Sequence, residues 1–195
     1  MWRRNGPHRK SLRRQIRTAR ALLDEGSLEQ AESLMRQLVS DCDDAFGTDT
    51  PESIGLLNLL GSALYQQRKL SESATMHSEA VDRAARVLGR DHPETLGYAH
   101  NYGAALAVQG RTSDAVAILD DTLQRRIRRL GNDHEDSLTT ANTLGATLFA
   151  AGAVTDGLTL LRQAYAASRR LPGGHELRDD IARNLRIAQR NAGGR

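Results

Sequence analysis

The nine residues LGRDHPETL, at positions 88–96, mark a junction that recurs along the chain. A similar stretch, LGNDHEDSL, follows 42 residues later at 130–138, and FGTDTPESI lies 42 residues earlier at 46–54. Glycines keep the same 42-residue spacing in three separate registers: Gly47, Gly89, Gly131 and Gly173; Gly61, Gly103 and Gly145; and Gly26, Gly110 and Gly152, with Arg68 in the remaining place. Several series that share one period predict a repeat protein.

The first half of each unit has the pattern of an α-helix, and this pattern is clearest after the junction at 88–96. Asp91 is predicted to cap the helix, with Glu94 three positions later. Pro93 fits the first turn, where its missing N–H has no helical partner to lose. Apolar residues then recur at helical spacing through 95–109. Gly110 suits the position that follows a helix end.

The second half of each unit predicts a second helix, paired with the first. Thr112 or Ser113 is predicted to cap it. Its apolar stripe has spacings of three and four residues: Val116, Leu119, Leu123, Ile127 and Leu130. Gly131 is predicted to end this helix and to open the next junction.

Applied along the chain, the pattern predicts four helix pairs and a terminal helix, and no strand pattern competes with it. The predicted helix pairs are 9–25 with 28–46, 51–67 with 71–88, 93–109 with 113–130, and 135–151 with 155–171. The repeats therefore cover 9–46, 51–88, 93–130 and 135–171, and the capping helix covers 175–191. Together they are predicted to form one domain, 9–192, after a flexible basic tail at 1–8.

Three glycines lie inside first helices, where each costs about 1 kcal/mol relative to alanine: Gly61, Gly103 and Gly145. Small residues occupy one register of the second helices: Ala31, Ser73, Ala115 and Gly157. Small residues on both members of a pair predict that the two helices approach closely. A single pair cannot bury its apolar stripe alone, so neighbouring pairs are expected to stack.

The junction at 88–96, together with the 42-residue period, resembles the kinesin-light-chain type of tetratricopeptide repeat (TPR). The copy at 130–138 lacks the proline, the copy at 46–54 lacks the histidine, and 172–177 is a worn copy. The resemblance covers about residues 10–190. It implies an all-α, right-handed TPR-like α-solenoid of four helix pairs with a C-terminal capping helix. It also implies a habit of binding peptides or proteins, without naming a partner.

In that family the first helices line a concave groove. The resemblance places eight residues of this chain there: Asn58, Ser62, Tyr65, His100, Asn101, Asn142, Phe149 and Asn184. An asparagine amide both donates and accepts, so a row of them can hold an extended peptide. Flat aromatic side chains such as Tyr65 and Phe149 can receive an apolar side chain of a partner. Alternatively, the asparagines bond to neighbouring helices and only stabilise the stack. The other tyrosines are expected in the core: Tyr98, Tyr102 and Tyr165.

The net charge of +3 is unevenly distributed. Residues 1–20 hold eight basic and no acidic residues, whereas residues 21–168 carry a net charge of −9. Basic ends on an acidic body do not form a nucleic-acid surface. The N-terminal run could serve as a basic arm for nucleic acid or an acidic membrane, but an apolar stripe favours a packed first helix instead: Leu12, Ile16, Ala19 and Leu23.

No constellation of residues predicts catalysis, a cofactor or a metal site. Cys42 has no histidine base in its pattern, and the adjacent carboxylates Asp43 and Asp44 are predicted to lie on solvated faces. Three histidines recur at the junctions: His92, His134 and His175. They are separated by a whole helix-packing step, while zinc ligands lie about 2.0–2.1 Å from the metal. Capping of helices is therefore their predicted role.

We predict a non-catalytic adaptor that binds a peptide segment or helix of a partner protein in the groove. A single cysteine and the lack of an apolar span long enough for a bilayer predict a cytoplasmic protein. Arginine supplies 25 of the 27 basic residues, which points to a GC-rich, bacterial genome. The alternative is a structural or regulatory accessory subunit of a larger bacterial biosynthetic, signalling or defence system. It would self-associate through a bland apolar face: Ala104, Ala107, Val108, Ala146 and Ala150.

Overall fold

The computed structural model describes residues 6–172 and 175–193, and every regular element in these ranges is an α-helix. In chain order the helices are α1 (Gly6–Asp24), α2 (Leu28–Phe46), α3 (Pro51–Gln66), α4 (Leu70–Val87), α5 (Pro93–Val108), α6 (Thr112–Leu130), α7 (Glu135–Ala150), α8 (Val154–Ser168) and α9 (Glu176–Gly193). Each predicted boundary lies within three residues of the observed one. The all-α class predicted from the period is confirmed for the described residues.

The helices form two compact units, which divide after Arg90. Unit 1 contains α1 to α4, and unit 2 contains α5 to α9. Helix α1 begins at Gly6, so residues 6–8 are helical, and the rest of the predicted tail, residues 1–5, lies outside the described residues. One domain over 9–192 stays a prediction.

The core of unit 1 includes the N-terminal stripe. Leu12, Ala19 and Leu23 of α1 are buried, and Ile16 packs against the same cluster. The cluster continues on the next two helices: Ala31, Met35, Leu38, Cys42, Leu56, Leu60, Ala63 and Leu64. Burial of its apolar stripe against α2 and α3 explains why the arginine-rich segment folds as a helix.

The core of unit 2 lies between the first and second helices of its pairs. One cluster of its buried apolar residues consists of Leu119, Leu123, Leu138, Ala141, Leu144, Ala164 and Ile181. Val116 and Ile127 pack against this cluster, so the apolar stripe predicted for 113–130 faces the core. Ile181 brings the terminal helix α9 into the same core, which gives the last complete pair an apolar cover.

The close approach of paired helices is confirmed at the interior glycines. An added Cβ would lie 2.7 Å from the ring of His77 at Gly61, 2.7 Å from Leu119 at Gly103, and 2.8 Å from Leu161 at Gly145. In α4, the Ser73 hydroxyl donates to the Gly61 carbonyl oxygen at 2.8 Å. The small residues thus let backbone and side chains of the partner helix occupy the space of a methyl group.

The first helices of unit 2 are capped by histidines. The Nδ1 atom of His92 accepts the Glu94 N–H at 3.3 Å, and Nδ1 of His134 accepts the Asp136 N–H at 3.1 Å. The capping role is confirmed for His92 and His134. His175, for which the same role was predicted, has its Nδ1 atom buried without a hydrogen-bond partner among the described residues. The predicted Asp91 cap is wrong. Because Pro93 occupies the first helical position, the cap must come from the residue directly before it. Asp91 instead accepts a hydrogen bond from Arg125 Nη1 at 2.8 Å.

The predicted caps of the second helix of this pair are also wrong. Helix α6 begins at Thr112 itself, and Arg111 holds the N-cap position without a side-chain cap. The turn is too short for a separate capping residue, because the Arg111 N–H still bonds to the Leu106 carbonyl oxygen of α5 at 3.0 Å. The Thr112 hydroxyl donates back to the Gly110 carbonyl oxygen at 3.3 Å.

The prediction that adjacent carboxylates lie on solvated faces is wrong for Asp43. Asp43 of α2 accepts hydrogen bonds from Nη1 of Arg83 at 3.2 Å, and from the hydroxyl of Ser53. Arg83 is only 8% exposed, so this ion pair forms inside unit 1. A carboxylate next to a buried guanidinium compensates a charge that burial would otherwise disfavour.

Arg68 adopts a conformation that favours glycine. Its φ is +63°, and Gly26, Gly110 and Gly152 have positive φ in the equivalent turns. The hydrogen bonds are those of the glycine turns: Lys69 N–H to Leu64 O at 2.9 Å, and Arg68 N–H to Tyr65 O at 3.0 Å.

We expect Arg68→Gly to raise the free energy of unfolding of unit 1 by about 0.5–1 kcal/mol, because relief of left-handed strain outweighs the added chain entropy. Urea denaturation followed by circular dichroism measures the change. Gly26→Ala, which places a Cβ in open space at φ +78°, is the matched variant and should lower the stability. A lower midpoint for Arg68→Gly would contradict the assignment of strain.

Candidate functional site

The residues predicted for a binding groove lie on first helices in both units. Unit 1 carries Asn58, Ser62 and Tyr65 on α3; unit 2 carries His100 and Asn101 on α5, Asn142 and Phe149 on α7, and Asn184 on α9. Within unit 2, α7 packs against both α5 and α9. We call the side of these helices that bears His100, Asn142, Ala146, Phe149 and Asn184 the first-helix face.

Two asparagines of the first-helix face bond to each other. The Asn184 Nδ2 group donates to Asn142 Oδ1 at 3.0 Å. Asn142 is 9% exposed and Asn184 is half-buried. One N–H and one C=O are used in this bond, so a terminal NH₂ group and a carbonyl oxygen of the pair keep capacity for another partner. The two asparagines therefore hold neighbouring repeats together and can still bond to a ligand.

His100 replaces asparagine at the same register of α5. Its Nδ1 atom lies 3.4 Å from the Thr140 hydroxyl of α7. Burial, together with the positive charge of Arg126 and against a weaker opposite effect of Asp136, lowers the pKa of His100 from 6.5 to about 4. His100 is consequently a neutral polar group on the first-helix face at pH 7.

This lowered pKa predicts an acid-sensitive unit 2. Above pH 6.5 the imidazole is neutral in both states, so it contributes no pH dependence. Between pH 6.5 and 4 the unfolded chain binds a proton that the folded chain does not, and stability falls as the pH falls. We expect a loss of about 2 kcal/mol by pH 5.

Urea denaturation of wild type and His100→Asn at pH 7 and pH 5 tests this expectation. The asparagine variant uses the residue found at this register in α3, α7 and α9, where it is Asn58, Asn142 and Asn184. It should lose less stability than wild type between the two pH values. Equal losses would show that groups other than His100 account for the whole effect.

The polar groups predicted on α3 of unit 1 take part in local bonds. Asn58 Oδ1 lies 3.0 Å from Nδ1 of His77 on the paired helix α4. The Ser62 hydroxyl donates to the Asn58 carbonyl oxygen at 3.1 Å. Tyr65 is half-buried. This asparagine is therefore tied to the second helix of its own pair, unlike Asn142, which bonds to the next first helix.

The tyrosines divide between two environments. Tyr98 and Tyr102 of α5 are half-buried, whereas Tyr165 of α8 is 38% exposed. The prediction of a core position is wrong for Tyr165. The buried stripe of α8 passes through Gly157, Leu161, Ala164 and Ser168, and position 165 lies one residue to its side.

The potential metal ligands are scattered in the described part of the chain. No group of three or more His, Cys, Asp or Glu residues there is placed to hold a metal ion.

Cys42 is buried, and its Sγ atom lies 3.6 Å from the Thr50 hydroxyl. None of the described helices is long and apolar enough to cross a bilayer.

Arg126 was missed as a candidate from the sequence. Its place in the repeat is otherwise held by Cys42, Ala84 and Ser168, all small and uncharged. The guanidinium lies next to His100 and Thr140, where α5, α6 and α7 meet. A lone charge in a column of small residues is the signal that could have identified it.

The model of the tetratricopeptide repeat family matches the chain at residues 52–127 and 97–170. No curated protein gives a significant match.

Solved structures of similar fold include putative kinesin light chains. One of Podospora anserina, with nearly identical TPR-like repeats, shares 24% identity, covers 95% of this chain and 88% of its own, and has a TM-score of 0.81. A singly substituted form of that protein has a TM-score of 0.84 at 24% identity, with 96% and 89% covered. BtubC (BKLC) from P. vanneervenii has a TM-score of 0.78 at 18% identity, with 90% of this chain and 70% of its own covered. These likenesses show the fold class predicted from the sequence, an all-α TPR-like solenoid. With its 42-residue period, paired helices and matching family model, the chain belongs to the tetratricopeptide repeat family.

Proposed function

We propose that this protein is a non-catalytic adaptor, and that its first-helix face binds a peptide segment or helix of a partner protein. Repeats of this fold generally mediate protein–protein interaction. The proposal needs no cofactor, and it sets the role in a bacterial cytoplasm, which the single cysteine and the arginine-rich composition support. The proposed partner is a protein, and the proposal includes neither nucleic acid nor a membrane surface as a partner.

The Asn142–Asn184 pair carries the proposal. The pair presents a terminal NH₂ group and a carbonyl oxygen at neighbouring helices, which match the C=O and N–H groups of a peptide backbone. Ala146 and Phe149 follow Asn142 by one and two turns of α7, so an apolar surface adjoins the polar pair. Amide groups beside an aromatic ring suit a partner segment with both backbone and apolar anchors.

The proposal extends the same role to α3 of unit 1. Asn58, Ser62 and Tyr65 are half-buried, and the Tyr65 ring repeats the place of Phe149 with 84 residues between them. The half-buried Asn101 of α5 is included as a neighbour of His100. Because Asn58 and Ser62 already make local bonds, their expected contribution is smaller than that of the pair in unit 2.

Replacement of Asn58, Asn142 and Asn184 together by Ala tests the proposal. A partner is first identified by affinity capture from the native host and mass spectrometry, and its affinity is then measured by calorimetry with purified components. We expect at least about tenfold weaker binding at unchanged helicity, because several hydrogen bonds of about 1 kcal/mol each are lost. The control removes two exposed amides from second helices, Gln124→Ala with Gln163→Ala. Equal affinities for all three proteins would remove the groove assignment.

Self-association is the second candidate, and exposed apolar residues favour it. Val108 at the end of α5 is 39% exposed, and Ala150 at the end of α7 is exposed. A second copy could cover these positions, as expected for a structural or regulatory accessory subunit. Sedimentation at several concentrations separates the candidates, since a concentration-independent monomer argues against self-association.

A further inference from the structure

Arg126 is a buried cation without a paired carboxylate. The residue is 5% exposed, and no carboxylate oxygen in the described part of the chain lies within ion-pair distance of it. Among the arginines whose burial the structure describes, the other buried one is Arg83, which has Asp43 and Glu79 as ion-pair partners. The equivalent residues of Arg126 are small, so stacking of repeats does not require a cation at this position.

One edge of the Arg126 guanidinium group is used within the fold. Its Nη1 group donates to the Asp136 carbonyl oxygen at 2.8 Å and to the Thr140 hydroxyl oxygen at 2.7 Å. These two bonds employ both hydrogens of Nη1. They hold the guanidinium plane against the first turns of α7, so its orientation is determined by the fold.

The opposite edge keeps its hydrogen-bonding capacity. Neither Nε nor Nη2 of Arg126 donates a hydrogen bond to any residue that the structure describes. These atoms form the edge of a guanidinium that a carboxylate binds through two parallel N–H···O bonds. A planar donor pair of this kind distinguishes a carboxylate from a spherical anion such as chloride.

Space beside this edge adjoins a glycine of α5. A Cβ added at Gly97 would lie 3.9 Å from Nη2 of Arg126, and Gly97 itself is partly exposed. His100 follows Gly97 by nearly one turn on the same helix and belongs to the first-helix face. The approach to the edge therefore lies next to the surface proposed for the partner segment.

We propose that the Nε–Nη2 edge of Arg126 binds a carboxylate of the partner segment held on the first-helix face of unit 2. This inference rests on the proposed function and specifies the chemistry of the partner, an acidic side chain or a chain terminus. A buried cation is costly without a counter-charge, and the ligand supplies one. Burial also lowers the pKa of Arg126, against a weaker opposite effect of Asp136. The nearby Asp136 carboxylate disfavours a doubly charged phosphate.

Acetate alone is the first probe. Sodium acetate is titrated into the protein against sodium chloride at equal ionic strength, and NMR follows the Arg126 Nε–H signal. The same spectra report the pKa of His100, which should rise by about one unit in acetate because a bound negative charge offsets Arg126. Saturable shifts specific to acetate are expected. Equal responses to acetate and chloride would overturn the proposal whether or not a protein partner is known.

Two variants control this measurement. Arg126→Gln removes the charge and should abolish both acetate responses. Gly97→Leu keeps the arginine and fills the space beside Nη2, so it should weaken the responses even if Arg126→Gln folds poorly. A wild-type response to acetate in well-folded Gly97→Leu would place the anion elsewhere and overturn the assignment.

A displayed library of random peptides identifies the source of the carboxylate. Selected peptides are resynthesised with Glu replaced by Gln, or with an amidated C-terminus. The change that removes the bound carboxylate should weaken binding to wild type about tenfold and leave binding to Arg126→Gln unchanged. Equal losses in both proteins would overturn the role of Arg126. A library that yields no binder counts against the proposed function, while the acetate experiment still decides the anion site.

Discussion

Gly157→Ala is expected to lower the free energy of unfolding of unit 2 by about 3 kcal/mol. The new Cβ would lie 2.7 Å from the Gly145 carbonyl oxygen, and 2.8 Å from the Phe149 nitrogen. Both atoms belong to the backbone of α7, so no rotamer change can relieve the overlap. The two helices must move apart, and the Leu161 side chain, which now packs over Gly145, loses its contacts.

Two other glycines serve as controls in the same unit. Gly97→Ala places its Cβ at an ordinary contact distance from Arg126, so it should be neutral or raise stability by up to about 1 kcal/mol. The stability of Gly145→Ala should lie between those of Gly157→Ala and Gly97→Ala, because its Cβ meets the Leu161 side chain more closely than it meets backbone atoms. Urea midpoints at pH 7 rank the three variants. A midpoint for Gly157→Ala equal to that of Gly97→Ala would show that the helices tolerate separation.

Arg83→Ala is expected to destabilise unit 1 by about 3 kcal/mol. The Arg83 Nη1 group donates to Asp43, to the Thr48 carbonyl oxygen at 2.8 Å, and to the Ser53 hydroxyl at 3.0 Å. Its Nη2 group donates to Glu79 at 2.5 Å. Removal of the guanidinium leaves Asp43 and Ser53 partly enclosed beside a cavity, and uncompensated groups in such places are destabilising.

Arg86→Ala is the matched control for Arg83→Ala. Arg86 lies three residues further along α4 and pairs with Asp49 at 2.8 Å, but both side chains are exposed. Solvent screens this pair, so its loss should change the urea midpoint little. Similar midpoints for the two variants would mean that the Arg83 network contributes no more than a surface ion pair. Arg83→Met, which keeps the apolar volume, should recover part of the packing but not the hydrogen bonds.

The 42-residue period predicted most of the fold, because each repeat contains the same local signals. Gly110 and Pro93 restrict the backbone directly, so they located helix ends within three residues. Capping was less predictable. Asp91 and His92 are both able to accept an N–H, and the choice depended on which residue directly precedes Pro93 in the folded turn.

Contacts across the repeats were harder to foresee. Asn142 and Asn184 were placed in one register by their 42-residue spacing, but spacing does not reveal that one amide donates to the other. Asp43 looked like a surface carboxylate, since its partner Arg83 lies 40 residues away. Arg126 looked like one of several arginines near a helix end, although it alone stands in a column of small residues, and its burial then separates it from Arg128 and Arg129.

The bond between Asn142 and Asn184 couples ligand binding to the docking of the last helix. Helix α9 is held by α7 and α8, so fraying of its contacts would remove half of the amide pair. By thermodynamic reciprocity, a partner that engages both amides under the proposed function must also secure α9. Backbone amide hydrogens of α9 should then exchange with solvent more slowly in the complex. Deletion of α9 should weaken binding of the partner, including binding at positions where the partner does not contact α9.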